Sequence, residues 1–253
     1  MINVELMSHT PDALNLLLRT KNTRLMYGKD PAEWSEEERL EHLAYMRDTI
    51  KSSWEFVDYT FNITGVTRAF THQLVRTRSG HYAQQAMRVV DARDFPVQEP
   101  NGGMTGEQDV IWSDTIQGIL AGYGKLIDAN MAPQDARGVL PTNIETQIMC
   151  KFDLRSLHEM AKLRLCTRTQ GEYQDVFRQM RELVISVHPW AEEFIEVHCV
   201  ATGTCAFPRY GKVECPVYMP EMDNTAVREA ARKKFWEGPR HEAAPIAKNG
   251  RAM

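Results

Sequence analysis

Five arginines, Arg68, Arg76, Arg78, Arg88 and Arg93, stand in one short stretch with only two acids, Asp91 and Asp94, around them. The chain as a whole leans the other way, with 30 Lys+Arg against 34 Asp+Glu and a net charge of -4. A guanidinium presents a planar fork of donors that matches phosphate and carboxylate oxygens, so the chemistry open to this stretch is anion recognition. The competing reading is a solvated, salt-bridged surface, which contributes little to stability. A second cluster holds Arg155, Arg164 and Arg168. Arg155 and Arg164 are nine residues apart, two and a half helical turns, so they face different directions and need not share a ligand.

The mild acidity argues against binding nucleic acid or an anionic membrane through bulk charge, so any anion site is local. No apolar run approaches the roughly 18 to 20 residues of a membrane span, and MINVELMSHTPDALNLLLRT has acidic and polar breaks where a signal peptide is apolar. The expectation is a cytoplasmic protein. No GxSxG elbow, Walker loop or GxGxxG turn occurs, so a nucleotide or flavin would have to be held by arginines and side-chain amides. Cys150 lies on the inward side of a strand pattern and reads as core packing. Cys199, Cys205 and Cys215 follow closely on His198, yet spacings of six and ten fit no common zinc pattern, and no metal site is expected. Five cysteines without a CxxC pair read as reduced thiols.

Several elements must position these residues. Asp12 to Thr20 carries a leucine cluster, and Ser35 with Glu38 resembles a capping box opening a helix to about Lys51. Trp54 to Val66 has a β-type composition ending at Gly65, after which Thr67 can cap a helix to about Arg76 with Phe70 and Leu74 inward. On its other faces Arg68, His72 and Arg76 recur at i, i+4, i+8. Residues 96 to 108 form a Pro- and Gly-rich loop, and Ile116, Ile119, Leu120, Tyr123, Leu126 and Ile127 have helical spacing. Residues 133 to 141 are a connector. Ile144, Thr146, Ile148, Cys150 and Phe152 alternate with polar partners as a strand, and Asp153 caps a helix with Leu154, Leu157, Ala161 and Leu165 inward. Thr169 and Glu172 are expected to form another capping box, opening a helix to Val187 that His188-Pro189 interrupts. The tail after Thr202 is rich in Pro and Gly, then basic at 228 to 234. One α+β domain over residues 1 to 202, with residues 203 to 253 as a C-terminal extension, is the economical architecture.

The order of these segments resembles the flavin-dependent thymidylate synthases. Glu55, Tyr59-Thr60-Phe61, Gly65-Val66-Thr67-Arg68-Ala69 and Gln73-Leu74-Val75-Arg76 look like the lead-in to that family's signature, Arg-His-Arg, seven residues, then Ser. Arg137 before Leu140-Pro141, then Asp153-Leu154-Arg155-Ser156-Leu157, Leu163-Arg164 and Gln170-x-Glu172, resemble its second half. The resemblance covers about residues 50 to 197. This chain departs from the pattern at Thr77 for His, Ala86 for Ser, Ala83-Gln84 for Asn-Glu, Asp153 and Glu159 for two asparagines and Phe56 for His, while Arg88 is kept. It reads as a divergent branch.

The resemblance implies one β-sheet core with flanking helices in an intertwined homotetramer with shared active sites. It further implies FAD as cofactor and methylation at C5 of a pyrimidine nucleotide such as dUMP, with methylenetetrahydrofolate and NADPH as co-substrates. Carried over by position, Gln73, Arg76, Gln84, Ala86 and Arg88 would surround the nucleotide, with Arg137 from a neighbouring subunit and Arg164, the catalytic candidate, at the pyrimidine ring. Ser52, Arg76, Thr77, Arg78, Gln84, Asp153, Arg155 and Glu159 would line the flavin. The alternatives are hydroxymethylation of dUMP, UMP or dCMP, as modified phage nucleotides require, and a binding protein without turnover.

Overall fold

A computed structural model describes residues 1–25, 28–49, 51–100, 103–215, 218, 232, 233 and 236. The described elements run β1 (Asn3–His9), α1 (Ala13–Leu25), α2 (Glu36–Asp48), β2 (Asp58–Thr67), α3 (Arg68–Leu74), β3 (His81–Gln84) and α4 (Gly106–Asp128). They continue as α5 (Pro133–Ala136), β4 (Glu145–Asp153), α6 (Leu154–Arg164), α7 (Gly171–Val187), α8 (His198–Thr202) and α9 (Pro208–Glu214). The chain is therefore α+β, with one antiparallel sheet in the order β1-β2-β4-β3.

Alternation explains which face of the sheet is covered. Tyr59, Phe61 and Ile63 of β2 and Ile148, Cys150 and Phe152 of β4 point to one side and are buried, while Thr60, Asn62, Gln147 and Met149 point to the other and are half-buried or exposed. Against the buried side lie Leu154, Leu157 and Ala161 of α6 and Tyr173, Val176, Phe177, Met180 and Val184 of α7. Glycine is required at Gly65, where the β2–β4 register breaks between Ile63 and Val66: its φ is +67°, and a Cβ would run into the backbone of Met1.

The expected capping of α2, α3 and α6 is present. Ser35 and Glu38 form a full capping box, Thr67 Oγ1 accepts from the Phe70 amide at 3.0 Å, and Asp153 accepts from the Ser156 amide at 2.6 Å. Several boundaries move. α2 stops at Asp48, and residues 51–56 form a 3-10 turn, so the strand begins at Asp58 and not at Trp54. α4 starts earlier than its apolar spacing indicated, because Thr105 and Gln108 make a capping box at its head. The connector at 133 to 141 contains α5 and a further 3-10 turn.

Thr169 and Glu172 do not form the expected box. The residue flanking α7 is Gln170, without a side-chain cap, and Thr169 donates to the Leu163 carbonyl. Glu172 reaches across the fold, accepting from the Thr67 amide and hydroxyl at 2.6 Å each, so it anchors the head of α3. This tertiary partner outcompetes the local one because Thr67 presents two donors in a buried place. Burial pushes the Glu172 carboxyl up, opposed by those bonds.

Beyond Thr202, described parts of the chain pack back on the preceding elements. The Trp236 indole donates to the buried Glu196 at 3.2 Å, and Arg181 lies 3.8 Å from its ring centroid. Most of the basic run at 228 to 234 lies outside the described residues. Among those described, no helix is long and apolar enough to cross a membrane.

Glu172→Ala leaves two buried donors of Thr67 unmatched and should cost about 2 to 4 kcal/mol of stability. Glu172→Gln, which keeps one acceptor, should cost markedly less. Urea denaturation midpoints of the three proteins check this order.

Candidate active site

The stretch that follows α3 turns back along the sheet and pairs as β3 with β4, His81 opposite Lys151 and Gln84 opposite Ile148. This register carries residues 77 to 80 to the end of β4, where α6 begins. Two features fix the turn. The Tyr82 hydroxyl sits between the carbonyl oxygens of Leu74 at 3.0 Å and Thr77 at 2.6 Å. Gly80 lies so close to the rings of Phe152 and Tyr82 that a Cβ would collide with both.

A hollow opens where this turn meets α6, lined by Glu55, Thr77, Ser79 and, from the strand end and helix, Asp153, Arg155, Ser156, Glu159, Met160, Leu163 and Arg164. Arg155 and Arg164 lie on opposite flanks of α6, as their spacing requires, yet both border this one hollow. The reason is that it wraps the face between them, where residues 156, 159, 160 and 163 fall at about 100° per residue. Glu159, Arg164 and the Thr77, Asp153 and Arg155 set are thus brought together.

Their partners differ. Arg155 pairs with Glu55 at the rim, both side chains about half exposed. Glu159 is held by Lys162 at 2.9 Å and Lys51 at 3.3 Å. Arg164 has no carboxylate partner among the described residues; its guanidinium lies 4.4 Å from the centroid of the buried Tyr173 ring.

The remaining expected residues lie elsewhere. Ser52 sits on the 3-10 turn that carries Glu55 but outside the hollow, and Gln73, Arg76, Arg78, Gln84, Ala86, Arg88 and Arg137 do not line it either. Gln73 joins Gln170, and Gln84 donates to the Thr71 hydroxyl at 2.7 Å, so both amides have partners within the chain. Arg76, Arg78 and Arg88 are exposed and make no ion pair among the described residues, whereas Arg93 is the structural arginine of the group, bound to Asp91 and Asp128. The expected Arg68, His72, Arg76 stripe does not form: α3 ends at Leu74, and Arg68 turns in to the Gln85 carbonyl and Met87 sulfur. Burial pulls the Arg68 guanidinium down from its usual range, and the nearby Arg137 adds to this.

Glu55, Ser79, Ser156, Met160 and Leu163 line the hollow without having been singled out as site residues in the sequence. The signal for the last three is the helical recurrence of 153, 156, 160 and 163 that starts at the Asp153 cap. Cys150 is buried, which pushes its thiol up to about 12, as expected of core packing. Cys166, Cys199, Cys205 and Cys215 line a separate small apolar hollow. Among the described residues no group of three or more His, Cys, Asp or Glu is arranged to hold a metal ion.

A profile described as thymidylate synthase complementing protein matches residues 5–190. The chain belongs to this family. It is 31% identical to the flavin-dependent thymidylate synthase of Sulfurisphaera tokodaii over 208 residues, 79% of each chain. It is 28% identical to that of Sulfolobus acidocaldarius, an alignment covering 100% of this chain and 96% of the relative. To the Geobacter sulfurreducens protein of the same name it is 34% identical, over 61% of this chain and 68% of the relative. It is therefore a thymidylate synthase-like enzyme.

Beside Glu159, His158 is wedged edge-on against Trp54, and its Nδ1 lies 2.6 Å from the Phe194 carbonyl, so Nδ1 carries the hydrogen and Nε2 accepts from Lys51 at 3.1 Å. Burial first, and the ammoniums of Lys162 and Lys51 after it, lower its pKa to about 4. A depressed imidazole contributes stability that is full above its unfolded value near 6.5 and is lost as pH falls through about 4. Urea midpoints between pH 7 and 4 should fall in that window, and His158→Gln should flatten the dependence.

Proposed function

We propose that the protein binds FAD in the hollow at the head of α6 and carries out reductive one-carbon transfer to C5 of a pyrimidine nucleotide, with methylenetetrahydrofolate and NADPH as co-substrates. The observation that carries this reading is the convergence of Thr77, Asp153, Arg155, Glu159 and Arg164, drawn from two distant segments, on one hollow. The lining suits a flavin: Thr77, Ser79 and Ser156 offer hydroxyls, Arg155 a cation, and Met160 and Leu163 an apolar wall for a flat ring. When bound and reduced, the flavin supplies the hydride that completes the transferred group.

Arg164 then acts at the acceptor ring. Its permanent charge, without a carboxylate among the described residues to neutralise it, stabilises negative charge that develops as C5 becomes nucleophilic. Asp153 holds the α6 head and so sets the direction of Arg155 and Ser156. No enzyme nucleophile is invoked, in keeping with a Cys150 thiol that burial holds protonated.

Arg76, Arg88 and Arg137 are read as phosphate ligands. They stand outside the hollow within one chain, which supports a site completed by a second copy, and Arg137 lies by Arg68. Val110 and Ile111 on α4 are each 60% exposed, an apolar face that a symmetric assembly would cover. A homotetramer with shared sites follows from this reading. With Ala86 exposed and Gln84 turned to Thr71, the nucleotide side lacks a serine hydroxyl and a carboxylate, which favours an altered acceptor.

Incubation with FAD, NADPH, methylenetetrahydrofolate and each of dUMP, UMP and dCMP, followed by mass spectrometry, tests the function. One acceptor should gain a methyl group, or a hydroxymethyl group in the related chemistry; no product from any of them contradicts it. In the same assay Arg164→Lys should lower kcat by at least about a hundredfold while nucleotide affinity changes little, because the loss falls on the transition state.

A further inference from the structure

Tyr173, near the head of α7, is fully buried. Its ring stands edge-on to Phe70 at 5.0 Å and carries the Arg164 guanidinium on its face. A cation on a desolvated aromatic face is held by the ring quadrupole, so the ring limits where the guanidinium can go. The phenol oxygen lies beside Thr77 and Arg164, both walls of the hollow. Even so, it has no hydrogen-bond partner of good geometry among the described residues. The neighbouring Tyr82 hydroxyl is already engaged on the Leu74 and Thr77 carbonyls. A buried hydroxyl left unmatched is costly and is seldom left so without a use. Burial raises the phenol's pKa, with Arg164 opposing, so at neutral pH it keeps a proton to donate.

We infer that Tyr173 is a positioning and substrate-selecting residue: its ring fixes the Arg164 guanidinium, and its hydroxyl donates a hydrogen bond to an acceptor oxygen of the molecule that Arg164 faces. The chemistry recognised is a ring carbonyl, which either a pyrimidine or a flavin offers. The inference rests on the reading of the hollow as the flavin and nucleotide site, and it adds a second donor behind the Thr77 and Arg164 walls of that hollow.

Tyr173→Phe and Tyr173→Leu in the full chain test it through melting temperature alone, with FAD, and with dUMP, and through kcat and KM. Tyr173→Phe should melt at or above the unmodified protein without ligand, since an unmatched hydroxyl is removed. Its ligand-induced rise should shrink, and affinity should weaken roughly tenfold, the size of one lost hydrogen bond. A loss confined to dUMP places the carbonyl on the pyrimidine, and one confined to FAD places it on the flavin. Tyr173→Leu should in addition lower kcat at least tenfold, because Arg164 loses its platform, and Phe should restore that part. A Tyr173→Phe protein that melts lower yet binds both ligands as before would show a purely structural hydroxyl and overturn the inference. An unchanged kcat in Tyr173→Leu would overturn the positioning role. If the unmodified protein binds neither FAD nor dUMP, the reading of the hollow fails and takes this inference with it; if it binds them and Tyr173→Phe binds equally, this inference alone fails.

Discussion

The hollow depends on the register in which a four-residue edge strand lies against β4. With His81 opposite Lys151, the turn at 77 to 80 arrives beside Asp153 and the first turn of α6. A slip of one residue would reverse which of Tyr82 and Ala83 faces the core and would withdraw Thr77 and Ser79 from Arg155. Four backbone pairs are a weak lock, so the register is reinforced by side chains. Tyr82 packs edge-on to Phe152 and holds the two carbonyls of the turn, and Gly80 permits the close approach. The same strand that pairs with β3 ends in the cap of α6, so a single element sets both walls.

A second constraint joins the two halves of the motif. Glu172, from the start of α7, anchors the Thr67 head of α3, and Gln170 beside it meets Gln73. The segments are about a hundred residues apart in sequence, yet the direction of α3, and hence the point at which the chain turns back as β3, is tied to α7. The buried carboxylate is therefore a structural residue, and its cost of burial is offset by two charge-assisted bonds.

Much of this was legible in the sequence. The β4 alternation, the Asp153 and Thr67 caps and the Ser35 box each rest on local chemistry that tertiary structure did not override. β1 and β3 were not recognised, because an edge strand with one buried residue, Val4, or of only four residues has no readable alternation. The Thr169–Glu172 box failed where a local rule met a stronger distant partner. For the site, the arginine-rich stretch mixed roles that composition cannot separate: Arg93 is an ion-pair residue, Arg68 a backbone ligand, and Arg76, Arg78 and Arg88 stand exposed. Tyr173 lay outside every motif, since its significance comes from an unmatched oxygen, which only packing reveals.

The account turns on the hollow at the head of α6 being the flavin site. Titration of the purified protein with FAD, followed by the visible absorbance of the flavin, tests this most directly when unmodified protein is set beside Arg155→Ala. Arg155 lines the hollow with its only described ion-pair partner, Glu55, at the exposed rim, so the substitution removes a ligand without opening the core. The account predicts saturation at one FAD per chain and at least a tenfold weakening in the variant, consistent with losing one charge-assisted contact of about 1.5 to 3 kcal/mol. Equal binding by the two proteins, or no saturation by the unmodified one at tens of micromolar FAD, about the range where a cofactor site should fill, would contradict it.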